Sequence, residues 1–170
     1  SDILWFQKSY RHIKNLLMIK INVLVSNKNW EKYITNPKNH LTKKVKKLNK
    51  HNTFFKDKNI EFTLLLSGDK QIKSLNNKFR KKNKTTDVLS FPFHKKDIML
   101  NLLKSKELVY LGDVIINLNK ILDKKKLLTK ITLDKIWLHG FAHLLGYRHK
   151  INRDYLKMKK VENKFFKSIN

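Results

Sequence analysis

Residues 139–149 read HGFAHLLGYRH, with histidines at the first, fifth and eleventh places and a glycine, Gly146, at the eighth. On a helix, positions four apart lie on the same face one turn on, so His139 and His143 can face one metal ion. Gly146 suits the left-handed position that closes a helix, and the reversing chain behind it can return His149 as a third ligand. Three neutral imidazoles with an open fourth position make a catalytic type of zinc site, whereas a closed structural site uses four protein ligands. One zinc ion per chain is the expectation. Nickel or another divalent metal is the alternative, because imidazole suits several of them.

Zinc proteases of the H-E-x-x-H type share this spacing, but here the glutamate's place is taken by Gly140. In those enzymes the glutamate takes the proton from metal-held water. Glycine cannot, and the only other charged side chain in the stretch is Arg148. A metal still lowers the pKa of a water it holds to roughly 7. That chemistry suits an electrophile brought by a strongly basic protein, namely a phosphodiester.

Charge points to the same substrate. The chain has 170 residues, 39 Lys+Arg against 13 Asp+Glu, and a formal net charge of +26. An excess this large gives a positive field over most of the surface and favours a polyanionic partner, held with strong salt dependence. With no cysteine there is neither a disulfide framework nor a thiolate ligand, so a metal must rest on nitrogen and oxygen. The length fits one domain with its own core. No apolar run reaches the roughly 18 residues that span a bilayer, and LLMIKINVLV (16–25) is broken by Lys20 and Asn22. The opening SDILWFQKSYRHIKNLL lacks the apolar centre and small-residue cleavage site of a signal peptide.

Four stretches read as strands: IKINVLV (19–25), IEFTLLLSG (60–68), VLSFPF (88–93) and YLGDVIIN (110–117). Pro92 cannot donate to a ladder, which puts VLSFPF at a sheet edge or ends the strand there. Helical spacing marks 40–50, after a link around Pro37, then 69–80, 118–129, 132–145 and 153–167, with a loop over 94–109. Strand–helix–strand order followed by helices predicts a mixed sheet covered by helices. Thr86 and Asp87 are expected to fix the start of the VLSFPF strand through side-chain hydrogen bonds. Phe91 and Phe93 are expected in the core, with base stacking as the alternative. TKKVKKLNKHN (42–52) is either an RNA-tracking run or a solvated helix face.

HGFAHLLGYRH closely resembles the H-G-x-L-H-L-x-G-Y-D-H signature of the YbeY family of bacterial endoribonucleases and ribosomal RNA maturation factors. LNNKFRKKNKTTDVLSFPF (75–93) is similar to that family's L-N-x-x-Y-R-x-K-D-x-P-T-D-V-L-S-F-P-F, and LGDVIIN (111–117) to its L-G-D-I-x-I-S. The family's D-x-x-x-M-x-x-x-E tail occurs as Asp154, Met158 and Glu162. The matches fall in family order over about residues 18–165. They imply one α/β (α+β) domain over 18–170, a small mixed sheet packed on helices, with 1–17 as an extension outside the match.

The resemblance also implies zinc held by His139, His143 and His149, and catalytic roles for Arg80 and Lys82. Arg80 has the planar fork for a two-pronged grip on phosphate oxygens. The implied activity is metal-dependent, single-strand-specific endonucleolytic cleavage in ribosomal RNA processing, at the 3′ end of small-subunit rRNA, with a part in ribosome quality control. The implied partners are single-stranded RNA and the small subunit or ribosome, and no membrane. The implied place is the bacterial cytoplasm, with an organelle as the other option. One rival is a non-catalytic RNA-binding ribosome-assembly factor with a structural metal; a metalloprotease with an unconventional base is the other. Departures from the family pattern are Arg148 for aspartate, Ala142 for leucine, and Phe79, Asn83 and Thr85 for tyrosine, aspartate and proline.

Overall fold

A computed structural model describes residues 18–170. The expected extension, 1–17, lies outside the described residues. β-Branched and apolar residues at alternate places make four strands: β1 (Ile19–Val25), β2 (Asn59–Ser67), β3 (Val88–Pro92) and β4 (Leu108–Asn117). They form one sheet in the order β1-β2-β4-β3, with β1, β2 and β4 parallel and β3 antiparallel at the edge. Pro92 ends β3, as its missing N–H requires. The fold is α+β, a mixed sheet packed on helices.

The period of two along each strand divides the sheet into two faces. Ile60, Phe62, Leu64 and Leu66 of β2, with Val114 and Ile116 of β4, face the main core. Against them lie α2 (Pro37–His51), α6 (Lys126–Leu144) and α7 (Asn152–Ile169). On the other face, Leu89 and Ile115 pack with Ile72 of α3 (Asp69–Arg80). Aromatic rings fix α6 over the sheet: Phe141 lies 4.8 Å from Phe62 and 5.9 Å from Phe165, centroid to centroid. Deleting such a buried ring costs about 3–5 kcal/mol, so this cluster is the platform on which the histidines of α6 stand.

Short helices complete the chain: α1 (Trp30–Tyr33), α4 (Lys96–Leu102) and α5 (Leu118–Ile121). Two of them depart from the sequence expectation. α4 interrupts the stretch expected as loop. Its apolar side chains Ile98, Leu100 and Leu102 are exposed and only Met99 is buried, so no helical stripe marks it. The helix expected over 118–129 is broken after Ile121. Thr129 Oγ1 donates to Asp123 O and accepts from its N–H, and the Asp123 carboxylate accepts from Lys125 N–H. Side-chain groups thus replace the helical bonds there. α2 begins three residues before the expected start, with Pro37 at its first position and the Asn36 side chain capping Asn39 N–H.

β4 carries one extra residue against β2: Glu61 faces Tyr110, yet Thr63 faces Asp113. Gly112 lies in this bulge at φ +129, where a Cβ would come within 2.1 Å of Phe91 O. Only glycine allows β3 to close on β4 there.

Candidate metal centre

α6 ends in the turn that the spacing of its last residues predicts. Gly146 takes φ +87, its N–H donates to His143 O at 2.9 Å, and Tyr147 N–H donates to Ala142 O at 3.1 Å. This pair of bonds closes the helix and reverses the chain. His149 thereby returns to the face carrying His139 and His143. One nitrogen from each of the three rings lies within 4.8 Å of the others. Together they can hold a metal ion.

Hydrogen bonds select which nitrogens are offered. His139 Nδ1 lies 2.6 Å from Glu162 Oε1, and His143 Nδ1 lies 2.9 Å from Tyr147 O. A carboxylate and a carbonyl only accept, so both Nδ1 atoms carry the proton and both Nε2 atoms present lone pairs. Those two Nε2 atoms are 3.1 Å apart. Facing lone pairs at that distance repel unless a cation draws on both, so the donor set fits a metal. Burial, then the neighbouring His139 and His149, pushes the His143 pKa down from 6.5 to about 4, which keeps the ring neutral as a ligand must be. Burial alone would raise the Glu162 carboxyl. The hydrogen bond from His139 and the nearby Lys159 ammonium outweigh it and hold the carboxyl below its usual range.

Gly140 has a packing reason. A Cβ there would meet Val114 Cγ1 at 2.5 Å and Ser90 Oγ at 3.2 Å, so glycine lets α6 lie directly on β3 and β4. Ser90 Oγ donates to Gly140 O at 3.2 Å. On the other side Ser90 O accepts from Arg80 Nη2 at 3.1 Å, and the guanidinium lies 5.7 Å from the centroid of the Phe91 ring. Because β3 is an edge strand, Arg80 reaches around it from α3 and lines the same cleft as the histidines. Lys82, by contrast, is exposed and does not line that cleft. The Asp87 carboxylate accepts Val88 N–H at 2.8 Å and the Thr86 hydroxyl at 3.2 Å, as expected of a pair that fixes the start of β3.

The cleft encloses about 570 Å³. Its walls bring together Arg80, Lys95, Lys96, Arg148 and Lys150 against one carboxylate, Asp87, a net charge of +4 with the histidines neutral. Such a lining attracts a polyanion. Phe93, expected in the core, is instead 68% exposed, with its ring edge-on to His94 of the cleft wall. Its N–H still donates to Leu111 O at 2.9 Å, but the strand ends at Pro92 and the ring is left in solvent. Phe91 is half-buried, as the core expectation holds for it alone.

Sequence reasoning did not assign Glu162 a place at the metal centre. The signal was present: Asp154, Met158 and Glu162 recur every fourth residue, one stripe of α7. Lys96 was also missed, since nothing in the sequence marked α4.

No helix among the described residues is long and apolar enough to cross a membrane. The family model described as Endoribonuclease YbeY matches residues 24–170. An Endoribonuclease YbeY of Pelagibacter ubique is 42% identical over 155 residues, covering 89% of this chain and 97% of that one. One from Buchnera aphidicola subsp. Schizaphis graminum is 33% identical over 87% of this chain and 89% of its own. The solution structure of a Thermotoga maritima protein superposes with a TM-score of 0.54 at 23% identity, covering 88% of this chain and 89% of that one, and shares the fold. From its strand order to its histidine turn, the chain belongs to the endoribonuclease YbeY family.

Proposed function

We propose that this chain is a zinc-dependent, single-strand-specific endoribonuclease that acts in ribosomal RNA processing, at the 3′ end of small-subunit rRNA, and in ribosome quality control. One domain over 18–170 carries the activity, 1–17 is an extension, and the working compartment is the bacterial cytoplasm. One observation carries the reading: two unprotonated Nε2 atoms 3.1 Å apart share a cationic cleft with Arg80. The name Endoribonuclease YbeY on bacterial relatives such as those of Pelagibacter and Buchnera supports the reaction class.

His139, His143 and His149 would hold a divalent ion, which would supply Lewis acidity at the bound phosphate. The chain's own residues do the rest. Glu162 and Tyr147 O keep protons on the Nδ1 atoms, so that the Nε2 atoms remain donors to the ion. Arg80, steadied by Ser90 O, turns its remaining N–H groups to the phosphate and stabilises the charge that builds at phosphorus. Lysines along the cleft hold the flanking backbone. The exposed Phe93 ring offers a stacking face that only an unpaired base can use, which favours single strands. Lys82 is assigned to the substrate's approach and not to the reacting phosphate.

The test compares wild-type protein with His143→Ala and Arg80→Ala on unstructured RNA, duplex RNA and precursor small-subunit rRNA. Wild type should cut the single strands and the precursor's 3′ end. His143→Ala should lose cleavage, and Arg80→Ala should fall by about 10²–10³-fold. Equal cutting by all three would indict a contaminating nuclease. A cyclic phosphate on the product would assign the attack to the ribose 2′-hydroxyl rather than to water.

A further inference from the structure

We infer that Lys96 and Arg148 form a second phosphate subsite, which grips the RNA backbone beyond the scissile phosphate. The inference rests on the reading of the chain as an RNA-cleaving enzyme. It assigns a binding role to two residues outside the histidine and Arg80 set.

Three observations converge on this pair. First, a second cavity of about 250 Å³ adjoins the metal cleft and shares Lys96, Gly146, Tyr147 and Arg148 with it. Arg80 lines only the metal cleft, so the shared wall leads the strand away from Arg80. Second, Lys96 is positioned by the turn itself. The space that a Cβ of Gly146 would fill is taken by the Lys96 stem, with Cγ 2.7 Å and Cδ 2.9 Å from the point where that Cβ would sit. Its ammonium lies 6.0 Å from the centroid of the Tyr147 ring. A lysine stem laid on apolar surface keeps its charge in solvent, here at the junction of two cavities. Third, Arg148 stands where the family signature has aspartate, which reverses the charge of that wall. No carboxylate lies within ion-pairing distance of Lys96 or Arg148 among the described residues.

Two cations held on one wall with no acidic partner repel each other, and a phosphate between them removes that repulsion. Arginine offers the planar fork and lysine the point charge that such a group accepts. The second cavity also holds Lys157 and one carboxylate, Asp154, which leaves it net positive. A strand bound across both cavities is therefore fixed at two phosphates: one by Arg80 at the metal centre and one by Lys96 and Arg148. Holding the strand at the reacting phosphate and at a second one beyond it restricts its orientation, which is how binding remote from the chemistry contributes to rate.

The experiment measures binding, apart from catalysis. The full chain, with chelator present to suppress cleavage, is titrated with a short fluorescein-labelled oligouridylate across a range of salt concentrations. Each phosphate contact contributes about 0.7 to the slope of log K against log salt on a single strand. The double variant Lys96→Ala/Arg148→Ala should lose about that amount, and Arg80→Ala should lose a like amount independently. Lys96→Arg/Arg148→Lys keeps both charges and should keep the slope. Both positions are exposed, so the variants fold, and circular dichroism checks this. A double-variant slope equal to wild type, with Arg80→Ala reduced, would overturn the subsite and leave the nuclease reading intact. No RNA binding by the wild type would overturn both.

Discussion

The Glu162 carboxylate lies 2.6 Å from His139 Nδ1, so α7 sets the tautomer of a candidate metal ligand on α6. Without that acceptor the His139 ring can turn or protonate at Nε2, and either change removes a donor from the metal. Glu162→Ala, which removes the acceptor, should weaken zinc binding by about 10–100-fold with the fold intact. Competition against a chromophoric chelator measures it, and unchanged affinity would place Glu162 in packing alone.

Gly140 leaves no room for the glutamate of a zinc protease. The Cβ position lies 2.5 Å from Val114 Cγ1, a branched side chain on a buried strand that cannot swing aside. Gly140→Ala should therefore cost about 1–3 kcal/mol, as other overpacked cores do. For a chain of this size that is a fall of several degrees in Tm, at about 2–4 °C per kcal/mol. Gly140→Glu should unfold more readily still and show no casein cleavage. A Gly140→Ala protein as stable as wild type would contradict the packing account.

Metal should stabilise the folded chain by mass action, because the three nitrogens converge only when α6 and its turn are formed. At a zinc concentration about 100 times Kd the gain is about 2.7 kcal/mol. Thermal unfolding with and without zinc should show the rise in wild type and not in His143→Ala.

Asp134 is a buried carboxylate remote from the cleft and shared by three partners. It accepts from His40 Nε2 at 2.8 Å, from Lys44 Nζ at 3.2 Å and from Trp137 Nε1 at 3.3 Å, which ties α2 to α6. Asp134→Ala strands those donors and should destabilise the protein by about 3 kcal/mol. Denaturant unfolding followed by tryptophan fluorescence measures the loss. RNA cleavage per folded molecule should not change.

Much of this was legible in the residues because it is local. Apolar and β-branched runs marked all four strands, helical spacing marked α3 and α7, and the interval from His139 through Gly146 to His149 foretold the helix, its closure and the return of His149. What stayed hidden depends on contacts distant in sequence. The reason for Gly140 is Val114 on β4, and Glu162 meets His139 only because α7 packs back on α6. α4 escaped notice because it buries almost nothing. The break after Ile121 escaped because the Thr129 hydroxyl bonds both backbone groups of Asp123 in place of the helix. Phe93 was misplaced because an aromatic at alternate spacing reads as core until the strand is seen to end at Pro92.

Equilibrium dialysis of the untagged chain against zinc tests the metal centre most directly. The account predicts one ion bound per chain, and loss of that ion in each of His139→Ala, His143→Ala and His149→Ala. Binding far below one equivalent, or undiminished binding when any of the three rings is removed, would contradict it.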